Sequence, residues 1–95
     1  MKFVFSGALL RFVQFEKEVA IDRNTLEDCL RRLMLKFPDL ERALLDNQGN
    51  IRQTHQMFLN GEAIEKGVYS DASARQAFSV EDDDSVYILT AIAGG

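Results

Sequence analysis

Few side chains in this 95-residue sequence are of types that make or break bonds, and the group best placed to do so stands at its end. Gly94 and Gly95 follow Ala91-Ile92-Ala93, a run of small residues with one aliphatic anchor, and no residue follows Gly95. Without Cβ atoms, two glycines can lie extended in a narrow channel and let another protein's atoms approach the terminal carboxylate. A carboxylate is a poor acyl donor until it carries a better leaving group. Chemistry at Gly95 therefore implies activation with ATP as an acyl-adenylate, followed by attack of a sulfur nucleophile. By itself the tail is equally compatible with an ordinary frayed terminus.

The remaining reactive types offer less. Cys29 is the single cysteine, which excludes an internal disulfide and a four-thiolate metal site, and it falls on the apolar stripe of a helix as an inert thiol. His55, the single histidine, has no serine or cysteine nucleophile in a recognisable motif and reads as a surface residue. Glu81-Asp82-Asp83-Asp84 lacks the spaced ligands and glycine of a calcium loop and reads as a solvated turn. Arg31 and Arg32 belong to the solvated side of the same helix as Cys29. No catalytic constellation, resident cofactor or metal site is expected.

The length fits a single domain over residues 1–95, and 46% hydrophobic with 27% charged residues supply one core and an ordinary polar surface. A net charge of -4 is opposite to the basic footprint that neutralises phosphates, so nucleic acid is not an expected partner. The opening Met1-Lys2-Phe3-Val4-Phe5 has no signal-peptide pattern and no run approaches about 18 apolar residues, which places the protein in the cytoplasm and away from membranes.

The elements that must carry the tail follow from periodicity. Lys2 to Ser6 reads as a strand, Ala8 to Val13 as a segment folded back on the sheet edge, and Phe15 to Ile21 as a second strand whose odd positions are apolar except Lys17. Asn24 and Glu27 form a capping-box pattern, and Leu26, Leu30, Leu33 and Phe37 recur at helical spacing up to Pro38, which opens a short second helix ending near Leu44. Gln56 to Leu59 and Glu62 to Ile64 flank an Asn60-Gly61 turn. Glu65 to Ser79 is mixed, with a helical turn over 72–78, and reads as a variable insertion. Val86 to Leu89 is the last strand, entered through the acidic turn. This order predicts an α+β domain with one mixed sheet and one main helix across one face.

Taken together, the opening strand with Arg11 after it, the helix from Asn24, Phe37-Pro38-Asp39-Leu40, Asp46-Asn47-Gln48-Gly49, Met57-Phe58-Leu59-Asn60-Gly61-Glu62 and the ending Val86 to Gly95 resemble the ThiS/MoaD-like family of ubiquitin-like, β-grasp sulfur carriers. Phe-Pro-Asp-Leu and Phe-Leu-Asn-Gly-Glu look most like the branch that feeds amino-acid biosynthesis. The sequence departs from many members in having Asp82-Asp83-Asp84 for an Asp-Gly-Asp turn and Thr90 in the region where a proline is common.

The resemblance implies a β-grasp fold with a flexible Gly-Gly tail over 91–95 and a cycle run by partners. An adenylyltransferase related to ubiquitin-activating enzymes uses ATP to adenylate Gly95, a persulfide donor converts the adenylate to a thiocarboxylate, and a biosynthetic enzyme accepts the sulfur. Ala91, Ile92, Ala93 and Gly94 would enter partner active sites. Val86 and Ile88 facing the core would leave Tyr87 and Leu89 outward as a docking face, with Ile64 of the neighbouring hairpin added to it. Two other readings stand beside this one, a modifier joined through Gly95 to lysine and a non-covalent interaction domain.

Overall fold

The computed structural model describes residues 1–90. Strands β1 (Lys2–Phe5), β2 (Glu18–Ala20), β3 (His55–Leu59), β4 (Glu62–Ala63) and β5 (Ser85–Thr90) form one mixed sheet in the order β2-β1-β5-β3-β4. β1 and β5 are parallel and the other pairs antiparallel. The last strand therefore lies in the middle of the sheet, paired with both β1 and β3 as far as Ile88 and with β3 alone at Leu89 and Thr90.

Helix α1 (Leu26–Lys36) packs across one face of this sheet. Its apolar stripe of Leu26, Cys29, Leu30 and Leu33 is fully buried in one core with Phe3, Met57, Val86 and Ile88 from the strands. Pro38 ends the helix as its missing N–H requires, and α2 (Leu40–Leu44) follows within a few residues, burying Leu40 and Leu44. The N-cap is Thr25 rather than Asn24. Its hydroxyl accepts the Asp28 amide at 3.1 Å, and the capping box expected from Glu27 does not form because that carboxylate is bound elsewhere.

Two segments depart from the expected pattern. Gly7–Val13 is a 3₁₀ helix that buries Leu9 and Val13. It leads into two consecutive left-handed residues, Gln14 (φ 55°) and Phe15 (φ 62°), which reverse the chain and leave Phe15 71% exposed. The second strand is accordingly shorter than Phe15 to Ile21, and Val19 is the inward residue of β2.

The larger departure is the stretch from Glu65 to Ser79. The helical turn expected over 72–78 is there as α4 (Ala72–Gln76), docked against α1, and a further short helix, α3 (Lys66–Tyr69), packs against α4 and β3. Asp71 caps α4 by accepting the Ala74 amide at 2.8 Å. Arg75, 1% exposed, reaches from α4 to Glu27 of α1 with Nε 2.6 Å from the carboxylate Oε1. Its Nη1 donates to the carbonyls of Tyr69 (3.0 Å) and Ser70 (2.9 Å), and Nη2 to that of Gly49 (2.9 Å). Arg31 donates to the other oxygen of Glu27 at 3.2 Å. Such a pair is tolerable in a core only because its hydrogen-bonding capacity is used, and it ties three parts of the chain that propensity alone would leave unpaired.

Candidate functional site

Strand β5 sorts its side chains by parity. Val86 and Ile88 are completely buried, whereas Tyr87 is half-buried and Leu89 is 41% exposed on the opposite face. Strand register then builds an apolar row across that face: Val4 of β1 and Phe58 of β3 flank Tyr87, and Ala63 of β4 lies beyond Phe58. Val4, Phe58, Gly61, Ser85, Tyr87 and Leu89 line a shallow depression of about 470 Å³.

The middle of the row is rigid. The Tyr87 ring stands edge-on to Phe58, with centroids 6.0 Å apart and planes at 72°, and its hydroxyl shares a hydrogen bond with Ser6 Oγ. Leu89 lies one step nearer the end of the strand and is left reaching outward. At the rim, Lys2 pairs with Glu18 at 3.1 Å in an exposed contact worth little to stability. A fixed aromatic plate beside an exposed leucine supplies an anchor area for a partner, with charge confined to the edge.

Ile64 does not belong to this face. β4 is only two residues long, and the Ile64 amide donates to Met57 O at 2.9 Å as the chain turns towards α3, carrying the side chain into the core at 9% exposure. The depression is closed at one corner by the Asn60-Gly61 turn, where both residues have positive φ (50° and 88°) as a two-residue hairpin requires. Asn60 binds the acidic turn: Nδ2 donates to Asp84 Oδ1 at 2.9 Å and Oδ1 accepts the Ser85 amide at 2.9 Å. The Asp84 carboxyl is held below the usual carboxylate range, first by the Asn60 hydrogen bond and then by the amide of Glu81. That carboxylate is thus spent on the turn. Among the described residues no group of three or more His, Cys, Asp or Glu side chains could hold a metal ion.

The reacting atoms proposed at Gly95, and the stretch Ala91, Ile92, Ala93 and Gly94 before it, lie outside the described residues. What the structure does fix is their root. Thr90 pairs with His55 at the end of the β3–β5 ladder. His55 is not a surface residue: it is 4% exposed, with Nε2 2.6 Å from Ala43 O and Nδ1 3.0 Å from Thr90 Oγ1. Alternation carries the signal for this, because His55, Met57 and Leu59 share the inward parity of β3, although a lone polar ring reads as exposed.

Arg75, by contrast, carries no signal in the sequence pattern, since its partner Glu27 is 48 positions away. Cys29 is buried as its place on the stripe implies. Its Sγ lies 3.6 Å from the Arg23 carbonyl oxygen, and burial pushes the thiol up, which suits an inert side chain rather than a sulfur relay. No helix among the described residues is long and apolar enough to cross a membrane.

No protein-family model and no curated protein matches the sequence. Solved structures do match across nearly its whole length. Small archaeal modifier protein 1 from Methanosarcina acetivorans superposes with a TM-score of 0.77 at 18% identity, over 99% of this chain and 94% of that one. A chain of the Amycolatopsis orientalis BexX/CysO complex gives 0.76 at 20% identity, over 99% and 98%. CysO of Mycobacterium tuberculosis gives 0.75 at 22%, over 96% and 98%. These structural neighbours are ubiquitin-like β-grasp proteins of the ThiS/MoaD sulfur-carrier and modifier type, and the chain has their fold.

Proposed function

We propose that this chain is a sulfur carrier whose working group is the carboxylate of Gly95. The observation that carries the reading is the placement of β5: a central strand presents Tyr87 and Leu89 on an uncovered apolar face and then leads, five residues after Thr90, to Gly95. Docking and chemistry are thereby separated by a short tether. A partner that seats the sheet face would receive the carboxylate in its own pocket.

In the first step an adenylyltransferase joins the Gly95 carboxylate to the α-phosphate of ATP and releases pyrophosphate, which turns a poor acyl donor into a good one. A sulfur nucleophile then forms a C–S bond and displaces AMP. With hydrosulfide the product is the thiocarboxylate directly. With a persulfide it is an acyl disulfide, whose S–S bond a thiol must reduce. The anionic thiocarboxylate sulfur is the nucleophile delivered to a biosynthetic enzyme, after which Gly95 returns to a carboxylate. The chain contributes no acid, base or metal to these steps; it contributes the acyl group and the face that orients it.

Incubation with a candidate adenylyltransferase, ATP and sulfide tests this by intact mass. Replacing O by S at the terminus adds about 16 Da, as acyl substitution requires, and the gain should vanish when Gly95 is deleted. A mass that never changes with several such activators counts against carriage of sulfur.

A second reading is favoured by the neighbours named as modifier proteins. It keeps the adenylate but makes a lysine amine the acceptor. Conjugates that survive reductant, and carry Gly95 in an isopeptide bond, would select it. A purely non-covalent interaction domain would instead work as well without Gly95 as with it.

A further inference from the structure

The buried ring of His55 has a decided hydrogen-bonding state. A carbonyl oxygen only accepts, so Nε2, 2.6 Å from Ala43 O, carries the proton. In the neutral ring Nδ1 is then an acceptor, and the Thr90 hydroxyl 3.0 Å away donates to it. The ring itself cannot shift easily. The His55 amide donates to Arg52 O at 3.1 Å, its carbonyl accepts the Tyr69 hydroxyl at 3.4 Å, and the side chain is 4% exposed. One imidazole thus joins the last turn of α2 to the side chain of Thr90, the residue from which the tail departs.

We propose that His55 is a positioning residue that fixes the Thr90 side chain and, through it, the last residue of β5, after which the sequence runs to Gly95. This rests on the carrier reading for its consequence, though the hydrogen-bond relay stands without it. The exposed face sets how tightly a partner is held; the root of the tail sets how often a docked carboxylate meets ATP. Backbone pairing of β5 alone leaves its final residue free to fray, since terminal pairs of a ladder open first. A side-chain lock to a ring that is itself buried opposes that fraying at the position where it matters.

Thr90→Val keeps the shape and removes the hydroxyl, and Thr90→Ser restores it without the methyl group. With an adenylyltransferase that accepts the wild-type chain, Thr90→Val should lower kcat by about threefold to tenfold, the worth of one hydrogen bond, with KM for the carrier changed less than about twofold. Thr90→Ser should recover most of the loss. A merely structural role would lower the melting temperature of Thr90→Val and leave kcat unchanged well below it, which would overturn the proposal.

Nitrogen-15 shifts of the His55 ring give a readout that needs no activating enzyme. A protonated Nε2 with a bare Nδ1, and faster amide exchange at Leu89 and Thr90 in Thr90→Val, are expected. The opposite tautomer, or unchanged exchange, overturns the lock even where the chain is efficiently adenylated. A wild-type chain that no activator adenylates, but whose ring shows the expected tautomer and exchange, contradicts the carrier reading and leaves the lock standing. Because His55→Leu would strand the buried Ala43 carbonyl and could unfold the chain, the Thr90 pair carries the test.

Discussion

The two sides of this sheet solve opposite problems. On one side α1 covers the strands and α4 packs on α1, so that even an arginine and a glutamate are enclosed, and Arg75 places hydrogen bonds on Glu27, Tyr69, Ser70 and Gly49. On the other, Val4, Phe58, Tyr87 and Leu89 remain an uncovered apolar row beside the root of the tail. On the proposed reading stability and recognition are divided between faces rather than shared, and variants on the two should separate cleanly.

The largest effect is expected at the enclosed pair. Arg75→Met leaves Glu27 buried without its main partner and should cost about 3–5 kcal/mol, read as a shift in the urea midpoint. Adding Glu27→Leu should recover much of this, because the penalty belongs to the orphaned charge rather than to a lost attraction. Failure of the double variant to recover would show that the guanidinium's three carbonyl contacts, not the charge pair, hold α3 and α4 in place.

Leu89→Asp inverts the pattern. At 41% exposure the leucine contributes little to folding, so the urea midpoint should move by no more than about 0.5 kcal/mol equivalent, as for other surface positions. The same change puts a charge on the docking row and should raise KM with an activating partner by about tenfold or more, the scale of an interface anchor. A normal KM in Leu89→Asp would move docking away from this face.

Asn60 marks a smaller effect at the corner between the faces. Asn60→Ala removes the bonds to Asp84 and Ser85 and should cost about 1 kcal/mol. The pH dependence follows the sign of the Asp84 shift. Its folded-state value is lowered, so its stabilisation is fully present above the unfolded value of about 3.9 and is lost as pH falls towards the lower folded one. Stability of Asn60→Ala should therefore fall less steeply than wild type through that acid window, measured by denaturation at a series of pH values.

The same division explains what the sequence disclosed. Strand β5 was legible as a run of β-favouring residues, Val86-Tyr87-Ile88-Leu89, between an acidic turn and small residues, and strand alternation set Tyr87 and Leu89 outward only once Val86 and Ile88 were taken as core. α1 was legible from Leu26, Leu30 and Leu33 at helical spacing. Its cap slipped by one residue because Glu27, which looks like the second half of a capping box, is recruited by an arginine far away in the chain.

Within 65–79 the turn over 72–78 was legible and holds α4, whereas α3 was not, because helices of four and five residues are too short to show a helical period and are held by Arg75 more than by propensity. Phe15 was misplaced because two left-handed residues interrupt an apolar alternation that composition does not mark. His55 obeyed the strand parity and was set aside on residue type. Ile64 follows Ala63, which lies on the outward row beside Phe58, so the hairpin register itself sets Ile64 on the inward side with Met57, and adding it to the outward face ignored that alternation. Of the candidate site, the outward pair on β5 came from setting Val86 and Ile88 inward, and Gly95 from the composition of the tail taken together with the family resemblance.

The claim that binding by the bare face serves chemistry at Gly95 is tested most directly by ATP–pyrophosphate exchange, with wild type, a Gly95 deletion and Leu89→Asp compared on one adenylyltransferase. The account predicts exchange that saturates with wild type, is absent for the deletion, and returns for Leu89→Asp only at carrier concentrations raised about tenfold. Equal exchange by the wild type and the deletion would contradict it, because the acyl group would then not be the one at Gly95.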